Sequence, residues 1–203
     1  MGHYEDIIQA IRDSPTYKNH LAHCAKIKEP GGLCIECGVY KGESISRLSK
    51  LLNKETIYGF DSFEGLPEDW QVNKSLIRKK KAFTLHGKLP EVSKNIILIK
   101  GWLKDTLPEF INHHSNDKIT FLNIDTDLYS SAKTILQNCN ILLKPGGIIR
   151  FDELYQWKNV KHDYLYWAEN EYKAMIEWIY DFNRKIEIDS NDGRYGASIK
   201  ILK

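Results

Sequence analysis

The feature that most constrains the fold of this chain is the alternation of short apolar segments with amphipathic segments after residue 32. The apolar segments are too short for buried helices and are typical of strands. Amphipathic helices are predicted over 43–52 and 132–142, and the longest helix over 164–182. Strands linked by helices form a mainly parallel sheet covered on both faces, which is a doubly wound α/β fold. The predicted parallel strands are 33–37, 56–60, 96–99, 118–124 and 148–151.

The two ends of the chain depart from this alternation. Two helical stripes, separated by Pro15, predict a helical cap over residues 1–30. Residues 185–188 and 197–202 predict an antiparallel strand pair around the turn at 191–193. The expected sheet therefore has seven strands, and a chain of 203 residues is expected to form a single domain.

The segment 64–90 links two predicted strands without an amphipathic stripe. We expect a polar insertion near the functional site, with room for one helix. Its basic run, Arg78 to Lys81, is typical of a solvated face, and attraction of an acidic substrate is the alternative. Further on, the Lys-Pro-Gly-Gly sequence at 144–147 is predicted to end the helix 132–142 before the next strand.

Charge and composition exclude several classes of protein. The 29 basic and 27 acidic residues leave a formal charge of +2, which is too small a field to indicate nucleic acid or membrane partners. No apolar run approaches the ~20 residues of a spanning helix, and the first residues lack a signal peptide's cationic start, so a cytoplasmic protein is expected. Cys34 and Cys37 would point to opposite faces of one strand, which predicts buried thiols instead of a zinc site or disulfide.

Ligands of doubly wound sheets bind beyond the carboxyl ends of the strands. After the first strand, Gly38 and Gly42 allow the backbone to approach a ligand, although only part of a dinucleotide-binding G-x-G-x-x-G pattern is present. Glu36 would repel a pyrophosphate but suits a ligand with an ammonium group. Asp61, at the end of the second strand, is placed to accept hydrogen bonds from ribose hydroxyls. A nucleoside that carries an amino acid, S-adenosylmethionine, satisfies both carboxylates.

The third predicted strand end adds a glycine and an aromatic residue. Gly101 permits close approach, and Trp102 could stack on an adenine, with an ordinary core or surface tryptophan as the alternative. The residues expected to contact the cofactor are Glu36, Gly38, Val39, Tyr40, Gly42, Ser44, Asp61, Ser62, Gly101, Trp102 and Asp125.

The fourth and fifth strand ends carry four carboxylates, which would repel one another without a cation between them. A divalent metal ion resolves this conflict, and oxygen ligands favour Mg²⁺, Mn²⁺ or Ca²⁺ over zinc. We expect Asp125, Asp152 and Glu153 to bind the ion, which would lower the pKa of a bound hydroxyl. Asp127 either accepts the substrate's proton or caps the next helix.

The histidines are weaker candidates for catalysis. His162 follows the acidic segment closely enough to act as a base on the substrate side, whereas His113 and His114 are expected in a loop. None of them has a serine or cysteine at a defensible nucleophile spacing, which argues against a hydrolase triad. The catalytic candidates are Asp125, Asp127 and His162.

Four segments resemble the macrocin O-methyltransferase family. They are residues 35–42, the Gly-Phe-Asp-Ser-Phe-Glu-Gly-Leu-Pro string at 59–67, the Asp-Thr-Asp-Leu-Tyr string at 125–129, and residues 143–147. The resemblance implies a Rossmann-like S-adenosylmethionine-dependent enzyme, with Glu36 and Asp61 on the cofactor and Mg²⁺ at Asp125, Asp152 and Glu153. The family usually shows two aspartates where this chain has Asp152-Glu153, which affects the expected metal.

The resemblance implies transfer of a methyl group to a hydroxyl, because the family is best known for methylating sugars in macrolide antibiotic biosynthesis. The expected partner is therefore a small-molecule acceptor whose identity does not carry over, and a homo-oligomer is compatible with the family. Two rival hypotheses are a nicotinamide (NAD-dependent) oxidoreductase, for which Asp61 is equally suitable, and a catalytically silent module that binds the cofactor. Glu36 and the incomplete glycine pattern argue against the first, and the crowded carboxylates against the second.

Overall fold

The computed structural model describes residues 2–157 and 163–203 of the chain. Its elements, in chain order, are α1 (Gly2–Asp13), α2 (His20–Ile27), β1 (Leu33–Cys37), α3 (Glu43–Leu51), β2 (Ile57–Asp61), β3 (Trp70–Gln71), β4 (Ile77–Arg78), β5 (Ile96–Lys100), α4 (Leu103–His113), β6 (Ile119–Ile124), α5 (Tyr129–Cys139), β7 (Leu143–Phe151), a 3₁₀ turn (Trp167–Glu169), α6 (Glu171–Asp181), β8 (Ile186–Asn191) and β9 (Ala197–Ile201).

Seven strands form one sheet in the order β5-β2-β1-β6-β7-β9-β8. The first five are parallel to their neighbours, whereas β9 runs antiparallel to both β7 and β8. The chain builds outward from β1 through β2 to β5, and then returns to the other side of β1 with β6. Strand order therefore reverses between β1 and β6, which is where such sheets bind ligands. The predicted fold class, including the antiparallel pair and the helical cap, is confirmed.

The alternation of side chains along β1 divides the core into two layers. Ile35 and Cys37 belong to the apolar cluster under α4, α5 and α6, whereas Cys34 belongs to the cluster under α2 and α3. All four cysteines are buried and free. The prediction that Cys34 and Cys37 face opposite sides of the sheet is confirmed, because successive side chains of a strand alternate between its faces.

The structure differs from some of the predicted elements and contains one helix that was not predicted. The helix predicted over 164–182 begins only at Glu171, because Asn170 has a non-helical backbone and a 3₁₀ turn precedes it. The Lys-Pro-Gly-Gly sequence at 144–147, predicted to end a helix before the next strand, lies inside β7, where the register against β6 shifts. Helix α4 was not predicted, and His113, expected in a loop, lies in its last turn.

The insertion at 64–90 contains a short antiparallel hairpin, β3 with β4, and not the helix for which room was expected. Its apolar residues Leu66, Trp70 and Val72 form a small third cluster with Leu128 and Tyr164. Leu128 follows β6, so the hairpin packs over the carboxyl edge of the sheet. No helix in the described part of the chain is long and apolar enough to cross a membrane.

Candidate active site

A cavity of about 740 Å³ lies at the carboxyl ends of the parallel strands, around the point where strand order reverses. The loops after β1, β2, β5 and β6 line it, and the insertion adds Leu66, Lys80 and Phe83. The structure therefore brings most of the predicted site together in one space. The predicted residues that line the cavity are Gly38, Val39, Tyr40, Ser44, Asp61, Ser62, Gly101, Trp102, Asp125 and Asp127.

Gly38 allows the loop after β1 to pass against the end of β6. Its φ is +90°, and a Cβ atom at this position would lie 1.7 Å from the carbonyl oxygen of Asp125. The Asp125 backbone N–H in turn donates to the Cys37 carbonyl at 2.9 Å. The requirement for glycine here is thus both conformational and steric. Gly42 lies next to the helix start but does not line the cavity.

Asp61 holds the loop after β1 while facing the cavity. One carboxylate oxygen accepts the backbone N–H groups of Val39 at 2.9 Å and Tyr40 at 2.8 Å, and the other accepts that of Phe63 at 2.7 Å. Ionised carboxylate oxygens have about four acceptor sites between them, so one remains for a ligand hydroxyl. The predicted position of Asp61 at a cofactor's ribose is compatible with this arrangement.

Glu36 lies behind the cavity wall, fully buried, and is not among the residues that line the cavity. Ser44 Oγ donates to one carboxylate oxygen at 2.8 Å, and Asn123 Nδ2 donates to the other at 3.0 Å. Burial raises the pKa of Glu36 to about 7. In this structure Glu36 therefore supports Ser44, which does line the cavity, and its expected contact with a ligand ammonium group stays a prediction.

Asn123 and Arg150 extend this hydrogen-bond chain, and neither was predicted from the sequence. Arg150 Nη1 donates to Asn123 Oδ1 at 2.8 Å, and Nη2 lies 2.5 Å from Asp152 Oδ1. Arg150 is buried, with 7% of the residue exposed, so its charge requires this partner. The sequence could have indicated Arg150, because it is a charged residue inside the otherwise apolar predicted strand 148–151.

Five carboxylates meet near the ends of β6 and β7: Asp125, Asp127, Asp152, Glu153 and Glu171. Burial, and then repulsion from Asp152, raises the pKa of Asp127 to about 7 and that of Asp125 well above its usual range. Burial, followed by repulsion from Asp127 and Asp152, likewise raises the pKa of Glu153. The crowding predicted for this edge of the sheet is present.

Glu171 is the member of this cluster that sequence reasoning missed. Its two oxygens accept the backbone N–H groups of Thr126 at 3.3 Å and Glu153 at 3.2 Å, so it joins the loops after β6 and β7. Burial raises its pKa to about 8. Glu153 Oε2 is buried and has no hydrogen-bond partner in the described part of the chain.

The carboxylates expected to bind metal lie at one edge of the sheet but do not form a finished site. Among residues 2–157 and 163–203, no three His, Cys, Asp or Glu side chains are arranged to hold an ion as they stand. Asp152 is paired with Arg150, which supplies part of the positive charge that we had assigned to a metal. The donors nevertheless have the chemistry of a Mg²⁺ site, and the unpartnered Glu153 oxygen is compatible with it.

The structure places Asp127 at the cavity but does not describe His162, the other candidate for the catalytic base. Helix α5 begins after Leu128 without a side-chain cap, so the capping role considered for Asp127 is not observed. Asp127 instead lines the cavity with a φ of +64°. His162 lies outside the described residues. His113 contacts the Glu109 carbonyl of its own helix.

The family model described as a methyltransferase domain matches residues 35–154. This chain belongs to the methyltransferase-domain family. The match covers the β1 loop, Asp61, Asp125, Asp127 and the Asp152-Glu153 pair. It agrees with the resemblance to class I S-adenosylmethionine-dependent enzymes and does not favour the nicotinamide alternative.

A curated relative gives the family a chemical context. The chain is 28% identical over 156 residues to 8-demethyl-8-(2,3-dimethoxy-alpha-L-rhamnosyl)-tetracenomycin-C 4'-O-methyltransferase from Streptomyces olivaceus. The alignment covers 66% of this methyltransferase-family chain and 58% of the relative. The chain thus spans less than two thirds of that protein's length.

Solved structures of methyltransferases share the fold. CalS11, the calicheamicin methyltransferase, is 21% identical with a TM-score of 0.65, and the comparison covers 90% of this chain and 76% of CalS11. The O-methyltransferase NovP is 20% identical with a TM-score of 0.61, covering 92% of this chain and 79% of NovP. These likenesses establish the Rossmann-like methyltransferase fold of this chain.

Proposed function

We propose that this protein is an S-adenosylmethionine-dependent O-methyltransferase that acts on a hydroxyl of a sugar or another secondary metabolite. The observation that carries the proposal is the continuous cavity, which joins the glycine loop and Asp61 to the carboxylates after β6. At one end, Gly38 and Asp61 suit the binding of a nucleoside. At the other end, Asp127 can act as a base. Membership of the methyltransferase-domain family supports the same reaction.

The cofactor is assigned to the half of the cavity around β1, β2 and β5. Asp61 would accept one ribose hydroxyl, and Gly38 would allow the cofactor to approach the backbone. Trp102, which is 36% exposed, would stack on the adenine. A bound cofactor supplies an electrophilic methyl group on its sulfonium. The residues of this chain orient that group toward the loop after β6.

The acceptor is assigned to the other half, between the loop after β6 and the insertion. Leu66 lines this region, and the hairpin packs against Leu128 next to the carboxylates. The curated relative is named for methylation of a rhamnosyl group, and we extend a sugar hydroxyl to this chain as the class of acceptor. Asp127 and Ser130, which also line the cavity, offer polar contacts for such a hydroxyl.

In this mechanism Asp127 removes the proton from the acceptor hydroxyl. Its carboxylate faces the cavity, and a pKa of about 7 suits a base that works near neutral pH. A bound cofactor would supply the methyl group to the hydroxyl oxygen, with its sulfur as the leaving group, and Asp127 would keep the proton. The hydrogen-bonded loops hold the two reactants in line, which is the main requirement of a displacement reaction.

We further propose that Mg²⁺, or Mn²⁺ or Ca²⁺ in its place, assists this reaction. Asp125, Asp152 and Glu153 would hold the ion, and Asp152 would exchange its contact with Arg150 for the metal. The crowded carboxylates and the unpartnered Glu153 oxygen support the proposal. A bound ion would supply positive charge for the acceptor oxygen.

Titration calorimetry with S-adenosylhomocysteine tests the proposed function, with NADH as the comparison ligand. We expect micromolar binding of S-adenosylhomocysteine, lost in Asp61→Ala, and no binding of NADH. Transfer of labelled methyl groups to a panel of rhamnosylated compounds, with and without EDTA, then tests the acceptor and the metal. Binding of NADH alone would overturn the proposal, and full activity in EDTA would overturn the role of Mg²⁺.

A further inference from the structure

The insertion at 64–90 holds an excess of positive charge that the proposed mechanism does not use. It contains six lysine or arginine residues and three acidic residues, whereas the whole chain has a formal charge of only +2. Four of the six cations form the run Arg78 to Lys81. The sequence allowed this run to be a solvated face or a site that attracts an acidic substrate, and its placement in the fold decides between the two.

The backbone of the run is held against the loop after β2. The Lys80 N–H donates to Asp69 Oδ1 at 2.8 Å. The Lys81 N–H donates to the Leu66 carbonyl at 2.9 Å, and the Leu66 N–H donates in return to the Ala82 carbonyl at 2.9 Å. Leu66 itself lines the cavity, so the run is fixed at the cavity wall.

Lys80 is the member of the run whose side chain lines the cavity. It has no hydrogen-bond or ion-pair partner for its ammonium group within the described residues. The acids of the insertion that are nearest in sequence are engaged elsewhere. Asp69 pairs with Lys79 at 2.8 Å, and Glu68 accepts the Ser130 hydroxyl at 2.5 Å. Neither acid lines the cavity, so the charge of Lys80 is available to a ligand.

Arg78 lies on the face of the hairpin that packs on the protein. It is directly opposite Trp70 in the antiparallel pair, so the two side chains share a face. Trp70 is buried on that face against Tyr164. Burial and repulsion from Asp152 raise the pKa of Asp127, and the positive charge of Arg78 opposes them. Arg78 is exposed and has no hydrogen-bond or ion-pair partner in the part of the chain that the structure describes.

The chemistry of the two ligands decides which of them these cations serve. The sulfonium of the cofactor is itself positive, and the cofactor is assigned to the other half of the cavity. The acceptor is therefore the ligand that would bring negative charge to this wall. A phosphate ester carries about 1.5 to 2 negative charges at neutral pH, and arginine and lysine are its usual partners in proteins.

We propose that Arg78 and Lys80 form a phosphate-binding subsite in the acceptor half of the cavity, so that the acceptor is a phosphorylated sugar and not a neutral glycoside. The inference rests on the proposed function, in which the acceptor hydroxyl meets Asp127. The cations would offset the repulsion between an anionic acceptor and the carboxylates after β6. The insertion then selects the acceptor by its charge as well as covering the edge of the sheet.

Titration calorimetry with inorganic pyrophosphate tests the subsite directly. The protein is first saturated with S-adenosylhomocysteine, which fills the cofactor half, and EDTA prevents binding through a metal ion. We expect Arg78→Met and Lys80→Met each to weaken pyrophosphate binding by about tenfold, as loss of a charged contact does. Both side chains are exposed, so neither change should affect folding. Lys74→Met is the matched control, because Lys74 is exposed in the same insertion and does not line the cavity.

Methyl transfer to three forms of one sugar then tests the choice of acceptor. The forms are methyl rhamnoside, rhamnose 1-phosphate and a nucleoside-diphosphate-linked rhamnose. We expect kcat/KM to be at least about tenfold higher for a phosphorylated form than for methyl rhamnoside, and this ratio to fall in Arg78→Met and Lys80→Met but not in Lys74→Met. The two phosphorylated forms distinguish a phosphate monoester from a pyrophosphate as the group that is bound.

The outcomes separate the subsite from the proposed function. A wild type that binds S-adenosylhomocysteine but not pyrophosphate overturns the inference, while the proposed function stands. Unchanged pyrophosphate binding in both Arg78→Met and Lys80→Met also overturns it. Equal weakening in Lys74→Met would show attraction by net charge alone, and a preference for methyl rhamnoside would show a neutral acceptor; either result overturns the inference. A wild type that does not bind S-adenosylhomocysteine overturns the proposed function together with the inference.

Discussion

At the scale of single residues, Gly38 links the fold to the cavity. Both Gly38 and Gly31 have positive φ angles, +90° and +73°, but an added Cβ meets the Asp125 carbonyl only at Gly38, whereas nothing lies within 4 Å at Gly31. We expect Gly31→Ala to cost about 1 kcal/mol through its backbone conformation alone.

Gly38→Ala should cost several times that amount, because the loop after β1 must move away from β6. Chemical denaturation of both variants measures the difference, and calorimetry should find that only Gly38→Ala loses S-adenosylhomocysteine. Equal destabilisation of the two variants would contradict the close approach that places this loop in the site.

Asp127 allows the catalytic and the structural effects of one residue to be separated. Asp127→Asn removes a charge from a crowded group of carboxylates, so the protein should unfold no more easily than the wild type. Loss of a general base should still lower the methyl-transfer rate by about 100-fold or more.

Rates with a working acceptor and thermal unfolding curves test the two parts of this prediction. Binding of S-adenosylhomocysteine serves as the control and should change little, because the cofactor is assigned to the other half of the cavity. A variant that keeps its transfer rate would remove Asp127 from the mechanism.

At the scale of elements, the hairpin of the insertion packs on the rest of the protein through the cluster that contains Trp70. Trp70 is 6% exposed and packs edge-on against Tyr164, with ring centroids 5.6 Å apart. Trp70→Ala should loosen the hairpin and raise the KM for the acceptor severalfold, with S-adenosylhomocysteine affinity unchanged. Ile77→Ala is the control on the same hairpin, since Ile77 is 44% exposed and should be neutral. Steady-state kinetics with both substrates tests this role. An unaltered KM for the acceptor in Trp70→Ala would contradict it.

The same scale shows what could be predicted from the sequence. β1 and β6 were predicted within a residue because short apolar runs report burial directly. Helix α4 contains Pro108, which obscures a helical pattern. Glu171 lies 18 residues after Glu153, and only the return of the chain through the 3₁₀ turn brings the two together. Local periodicity does not report which distant segments meet in the fold. The carboxylates at the strand ends were therefore predicted, but the addition of Glu171 to their cluster was not.

At the scale of the whole molecule, the raised pKa of Glu36 is a consequence of its burial in the sheet. Its ordinary pKa is 4.5 and burial raises it to about 7, so ionisation is easier in the unfolded chain. The contribution of Glu36 to stability is therefore present below about pH 4.5 and is lost as the pH rises through 7. The opposite sign applies to His20, whose pKa burial lowers to about 3, so that its contribution is lost on acidification below about 6.5.

Glu36→Gln keeps the size of this side chain and can still accept one of its two hydrogen bonds, but it cannot ionise. The free energy of unfolding of the ligand-free variant, relative to the wild type, should therefore increase between about pH 5 and pH 8. Denaturation at a series of pH values measures this difference, and it isolates Glu36 because His20 is unchanged in both proteins. A difference that stays constant with pH would show that Glu36 is ionised throughout. In that case the Ser44–Glu36–Asn123–Arg150 chain would carry a fixed negative charge beneath the cavity instead of a proton.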